Sequence, residues 1–197
     1  MNKSYEIDMC HGPLLKQIII FSVPLMLSGI LQLLFNAADI IVVGRFTGSD
    51  ALAAVGSTSS LINLLVNLFI GISVGANVLF GRFCGAHDNK NASETVHTAI
   101  CTAIYGGIIM IFVGHILARP LLELMGTPQN VIDLSTIYMR IYFIGMPGFM
   151  VYNFGAALLR TVGDTKRPLY YLTFAGIINV IFNLIFVIVF HLGVAGV

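Results

Sequence analysis

Apolar positions in this chain run in long blocks rather than alternating or clustering into one core. Five segments, at about 14–43, 51–80, 95–118, 134–159 and 169–190, carry almost no charge. Within the first, residues 18–38 hold none, and the second is free of charge throughout. Crossing a bilayer as a helix takes about 20 mostly apolar residues, and each segment reaches that length. The pattern predicts an all-α membrane protein. It is a bundle of five transmembrane helices, with the closing GVAGV (193–197) opening a sixth.

The connections have the chemistry of loops. GRFTGSD (44–50) joins the first two helices and GRFCGAHDNKN (81–91) the next two. In the latter, Asn91 is the predicted N-cap, with Glu94 three residues on as its capping-box partner. Pro120 and the Gly126-Thr127-Pro128 turn are expected to separate the third helix from the fourth. RTVGDTKRP (160–168) separates the fourth from the fifth, and Pro168 suits a first helical turn.

Basic residues orient the bundle. Lys3, Lys16, Arg82, Lys90, Arg160, Lys166 and Arg167 fall on one side, and Arg45, Arg119 and Arg140 on the other. Seven against three makes the N-terminus cytoplasmic, and the alternation agrees with five crossings. The matches to a glycosylation pattern at Asn2-Lys3-Ser4 and Asn91-Ala92-Ser93 both lie on that cytoplasmic side and read as chance. The polar start, with Glu6 and Asp8, shows no short apolar segment with a cleavage site, so no signal peptide is expected.

Composition narrows the reading further. The chain is 57% hydrophobic and only 10% charged, against about 25% charged in ordinary soluble domains. There is too little polar surface to cover a water-soluble globule. A net charge of +1 gives no sign of a nucleic-acid partner. Cys10, Cys84 and Cys101 have neither metal nor redox spacing. His11, His87, His97, His115 and His191 form no ligand pair, and His97 and His115 read as interfacial groups flanking the third helix. Signatures such as HExxH, GxSxG and GxxxxGK[ST] are absent, so neither enzymatic activity nor a cofactor is expected.

Inside membrane spans the polar residues carry the information, because burying them costs free energy unless they find partners or water. Ser28, Gln32, Asn36 and Asp39 are spaced to share one face of the first helix. Asp39 lies 23 residues beyond Lys16, in the outer part of the membrane. It is either an interfacial acid in water or an acid facing a cavity, where it binds a proton or a cation; the stripe leading to it favours the cavity. Asn63 and Asn67 pair one turn apart in the second helix. Asn179 and Asn183 do so in the fifth, in line with Gly176, and the fourth carries Tyr138, Tyr142 and Asn153. Each pair alone reads as interhelical glue; polar faces on four helices together point to a shared polar interior. Pro24 and Pro147 interrupt backbone hydrogen bonding and are the expected hinges. Gly71, Gly75, Gly106 and Gly107 are expected at close helix contacts.

Several strings resemble the N-terminal half of the multidrug and toxic compound extrusion (MATE) transporters. They are Pro24, FNAADIIVVGRFTGSDALAAVG (35–56), GANVLFGRFCGAHDNKNAS (75–93), YMRIYFIGMP (138–147) and LLRTVGDTKRP (158–168). Thr161 stands where such proteins more often have glycine. The resemblance implies one lobe of a twelve-helix fold, with residues 1–197 an incomplete N-terminal lobe and a second, C-terminal lobe as its partner. It implies a multi-pass protein of the plasma membrane, in contact with lipid, that exports small, often cationic organic compounds against inward H⁺ or Na⁺. Asp39 then matches the ion-coupling acid and Pro24 the proline linked to its protonation. Asn179, Tyr138 and Asn153 match polar residues of the same site. Relatives often carry a second acid where this chain has Asn183, so a single carboxylate remains. Na⁺ at Asp39 would need oxygens from Asn179, Asn183 and the backbone, and the choice of ion stays open. Gln32, Asn36, Asn63 and Asn67 would line the cavity. A lipid-linked oligosaccharide flippase of the same superfamily is the alternative, disfavoured by spans nearly free of Lys and Arg. A non-transporting scaffold gives no reason for a kinked, acid-bearing stripe.

Overall fold

The structure, a computed structural model, describes residues 13–196. Lys3, Glu6, Asp8, Cys10, His11 and the Asn2-Lys3-Ser4 triplet lie outside the described residues. Six α-helices follow one another: α1 Leu14–Phe46, α2 Ser49–Gly85, α3 Asn89–Leu124, α4 Ile132–Ile144, α5 Met146–Thr161 and α6 Lys166–Leu184. A π segment, Ile185–Val189, prolongs α6, and Gly193–Gly196 forms a 3₁₀ turn where a sixth span was expected to open. Helices α1, α2, α3 and α6 with its π extension are each long and apolar enough to cross a membrane. Helices α4 and α5 make one further span, bent by 50° at Gly145.

The helices outrun the apolar blocks that announced them. α2 has 37 residues, about 55 Å at 1.5 Å per residue, against about 30 Å of hydrocarbon. Hydrophobicity marks only the stretch that must avoid water, whereas capping sets where helices stop. Asn91 is accordingly not the N-cap of α3. The helix starts earlier, at Asn89, and Asp88 caps it, accepting from the Asn91 amide at 3.1 Å and from Asn91 Nδ2 at 2.6 Å. These bonds hold the Asp88 carboxyl below the usual carboxylate range. Pro120 does not end α3 either. It sits inside the helix, which runs on to Leu124 and turns at Gly126 with φ +72°. His97 and His115 therefore lie within α3, not at its flanks.

The GDT string closes α5 and opens α6. Gly163 adopts φ +82°, and the amides of Gly163 and Asp164 bond back to Arg160 and Leu159 carbonyls at 3.0 Å each, the pattern of a glycine C-cap. Asp164, almost fully buried, accepts from the Arg167 amide and pairs with Arg167 Nε at 3.1 Å. The most family-specific string of the sequence is thus a structural corner.

The core lies among α2, α3, α4 and α5. Leu61, Ile62 and Val66 meet Met110, Ala118 and Leu122, then Met139, Phe143, Met146, Met150 and Phe154. Small residues let α3 approach closely. A Cβ at Gly107 would fall on the backbone of Pro147, and one at Gly114 on the Phe143 ring. Gly106 packs likewise on Phe69, whereas Gly71 and Gly75 meet nothing within 4 Å and are not contact glycines. Gly75 instead borders an open groove between α2 and α3. α1 packs chiefly on α6, and the Phe35 ring occupies the space where Gly176 lacks a side chain.

The end contacts agree with alternating crossings. Thr161 at the end of α5 hydrogen-bonds Asn77 and touches Gly81 near the end of α2. At the other end, Val43, Ala51, Val55 and Val194 cluster with Leu134 and Tyr138.

Candidate functional site

Helices α1 and α6 run in the same direction, and the fit of Phe35 on Gly176 sets their register. One turn further along α1 comes Asp39; one and two turns further along α6 come Asn179 and Asn183. Asn183 Nδ2 donates to Asp39 Oδ1 at 2.5 Å and lies 3.3 Å from Asn179 Oδ1. Asn183 is 4% exposed and Asp39 only partly so. The acid therefore faces a neighbouring helix, held by a hydrogen bond from Asn183. Tyr138 of α4, itself half-buried, packs against the cluster that includes Val43, one turn beyond Asp39 on α1. The π segment begins two residues after Asn183. Such wide turns are often found at functional sites, because they break the regular ladder of a helix.

The structure brings Asp39, Asn179 and Asn183 together, with Tyr138 one turn of α1 away, but not Asn153. That amide turns back onto the Phe149 carbonyl of its own helix at 2.8 Å. It borders a narrow gap with Val66, Phe69 and Ile70 of α2. Its position two turns after Met146 places it on the α2 side of α5, away from α1.

The stripe on α1 is divided. Pro24 is buried within an unbroken α1, and Ser28 Oγ donates to the Pro24 carbonyl at 2.8 Å. Ser28 and Gln32 border a cavity shared with α5 and α6, while Asn36 is exposed. Asn63 and Asn67 are also exposed, and Asn67 Nδ2 donates to the Asn63 carbonyl at 2.8 Å. They lie on the outer face of α2, opposite its core residues Leu61, Ile62 and Val66. Pro147 does sit at a bend, in the first turn of α5 beside the 50° break.

Four long apolar helices and one bent pair, with a partly buried acid–amide pair between two of the helices, define a multi-pass membrane protein. The MatE family profile matches residues 24–185, and the chain belongs to that family. It is 38% identical over 82% of its length to the "Probable multidrug resistance protein YoeA" of Bacillus subtilis, and 31% identical over 96% to "Probable multidrug resistance protein YpnP" of the same organism. Among solved structures it resembles an "Outward-facing conformation of a multidrug resistance MATE family transporter of the MOP superfamily" (TM-score 0.87, 25% identity, the whole chain against 43% of that one). It also resembles a "MATE in the bent conformation" (TM-score 0.84, 26% identity, 92% against 40%). The chain spans only 35% of the first relative and 42% of the second.

Proposed function

We propose that this chain forms the N-terminal lobe of a proton-coupled exporter of small organic compounds, with Asp39 as the coupling carboxylate. The observation that carries the reading is the Asp39–Asn183 hydrogen bond across the α1–α6 contact. A hydrogen bond to an ionised group is worth about 1.5–3 kcal/mol, and a neutral acid forfeits much of that. Protonation would therefore change the α1–α6 equilibrium about 10- to 150-fold, enough to favour a second arrangement of the helices. The adjoining π segment and Pro24 are where the backbone can yield.

Asn183 presents its N–H groups to Asp39 and to Asn179. Na⁺ would require oxygens converging on that space, so this orientation favours H⁺. Exposed Asn36, Asn63 and Asn67 would face a second lobe across a central cavity in the plasma membrane, with the N-terminus cytoplasmic, while Gln32 borders the smaller space between α1, α5 and α6. The names of YoeA and YpnP favour drug-like cargo over a lipid-linked sugar.

The test is Asp39→Asn in the longest form the gene encodes, reconstituted in vesicles under an imposed pH gradient in Na⁺-free buffer. Drug movement should be lost while protein level and thermal stability are kept. Undiminished drug movement in the variant would overturn the role of Asp39. Dependence of the wild type on added Na⁺ would overturn the choice of ion.

A further inference from the structure

A second polar feature lies nearer the basic end of the lobe. Between α1, α5 and α6 is a cavity of about 320 Å³, bordered by Ser28, Gln32, Tyr152 and Arg160 with Leu25, Gly29 and Leu172. Gln32 is seven residues before Asp39 on α1, about 10 Å along the helix, so this is not the acid–amide site.

Arg160 closes α5, and its Nε is buried with no hydrogen-bond partner. Among the described residues the ion pairs join Arg119 to Glu123 and Asp133, and Arg167 to Asp164. Arg160 enters none of them, and the nearby Asp164 is already taken by Arg167. A guanidinium stays charged at any working pH, and a partly buried cation without a counter-charge is costly.

The other groups around the cavity define what would satisfy it. Tyr152 Oη donates its proton to the Pro168 carbonyl at 3.2 Å, and Ser28 Oγ donates to the Pro24 carbonyl at 2.8 Å. Those hydroxyl protons are committed. With the Arg160 Nε enclosed, the donors left to the space are the outer guanidinium nitrogens of Arg160 and the Gln32 amide, and they call for an acceptor that carries negative charge. The planar fork of arginine matches two oxygens of an oxyanion. At about 30 Å³ per water, the cavity has the volume of roughly ten waters, which accommodates a phosphate group and part of its hydration.

We infer that this cavity is an oxyanion site, in which Arg160 with Gln32 binds a phosphate-type group at the basic end of the lobe. The group is either free inorganic phosphate or the phosphodiester of a lipid headgroup. The inference is independent of the role of Asp39.

The experiment uses the longest form the gene encodes, purified in detergent and stripped of lipid. Inorganic phosphate, titrated against chloride at matched ionic strength, should raise the Tm saturably. Arg160→Gln should abolish that rise, and Lys90→Gln, an exposed charge removed elsewhere, should keep it. A phospholipid retained by the wild type in native mass spectrometry, lost in Arg160→Gln, would assign the site to a headgroup instead. If Arg160→Gln fails to fold, ³¹P line broadening of phosphate in the wild type, weakened by Gln32→Leu, supports the site. Neither a saturable phosphate effect nor a retained phospholipid in the wild type would overturn it. An effect that persists unchanged in the Arg160 or Gln32 variants would mark an adventitious ion only, and would overturn it too.

Discussion

Gly107 is where the packing leaves the least room. A Cβ built there meets the Cα and nitrogen of Pro147, with the nitrogen at 2.8 Å, and these are backbone atoms of a helix that cannot rotate aside. Gly107→Ala must therefore push α5 away from α3 close to the 50° bend. Overpacking costs about 1–3 kcal/mol, and the upper end applies because the obstacle is backbone. Replacing glycine by alanine within a helix returns about 1 kcal/mol of propensity, for a net loss of about 2 kcal/mol. Gly71→Ala makes the same chemical change where nothing lies within 4 Å. It should be neutral or stabilise by up to about 1 kcal/mol. The two variants thus differ by roughly 2–3 kcal/mol, or about 4–12 °C in Tm for a chain of this size. Thermal unfolding of both in one detergent measures the gap. A Gly107→Ala protein as stable as Gly71→Ala would refute the close α3–α5 crossing.

Further expectations are more local. Asp164→Ala removes the buried acceptor of both the Arg167 amide and its guanidinium, and should cost about 2 kcal/mol in thermal unfolding. Gly176→Leu should part Asp39 from Asn183 by displacing the Phe35 ring. Export should fall, with partial recovery in Gly176→Leu/Phe35→Ala, since neighbouring substitutions are not additive. The Asp88 carboxyl is held below its usual range by Asn91. Its contribution is full above the unfolded value near pH 4 and is lost as pH falls through the lower folded value. Hydrogen exchange at the start of α3 should accelerate in that acid range, and Asp88→Ala should remove the pH dependence.

The crossings were legible because a charge-free apolar run as long as a bilayer is thick is stable in few places besides a bilayer. The bend before α5 was legible from Met146-Pro147. Helix ends were not, since α3 begins in the polar Asn89-Lys90-Asn91, where only the cap at Asp88 marks the start. Spacing identified the polar faces of α1 and α6 but could not say that they meet. That depends on Phe35 lying over Gly176, a fit between distant positions. Asn153 shows the converse, a polar residue at a plausible position whose amide serves its own helix. Arg160 passed for a loop cation because the apolar run stops at Leu159. As the last turn of α5, it instead turns its Nε inward.

The pairing of Asp39 with Asn183 is tested most directly by infrared difference spectroscopy of the carboxylic-acid C=O stretch, taken across pH on the wild type, Asp39→Asn and Asn183→Leu. Among the titrating carboxyl bands, one is expected to be absent in Asp39→Asn and displaced in Asn183→Leu, because the amide donates directly to the acid. A spectrum in which Asp39→Asn removes no titrating band, or in which Asn183→Leu leaves that band unmoved, would contradict the pairing.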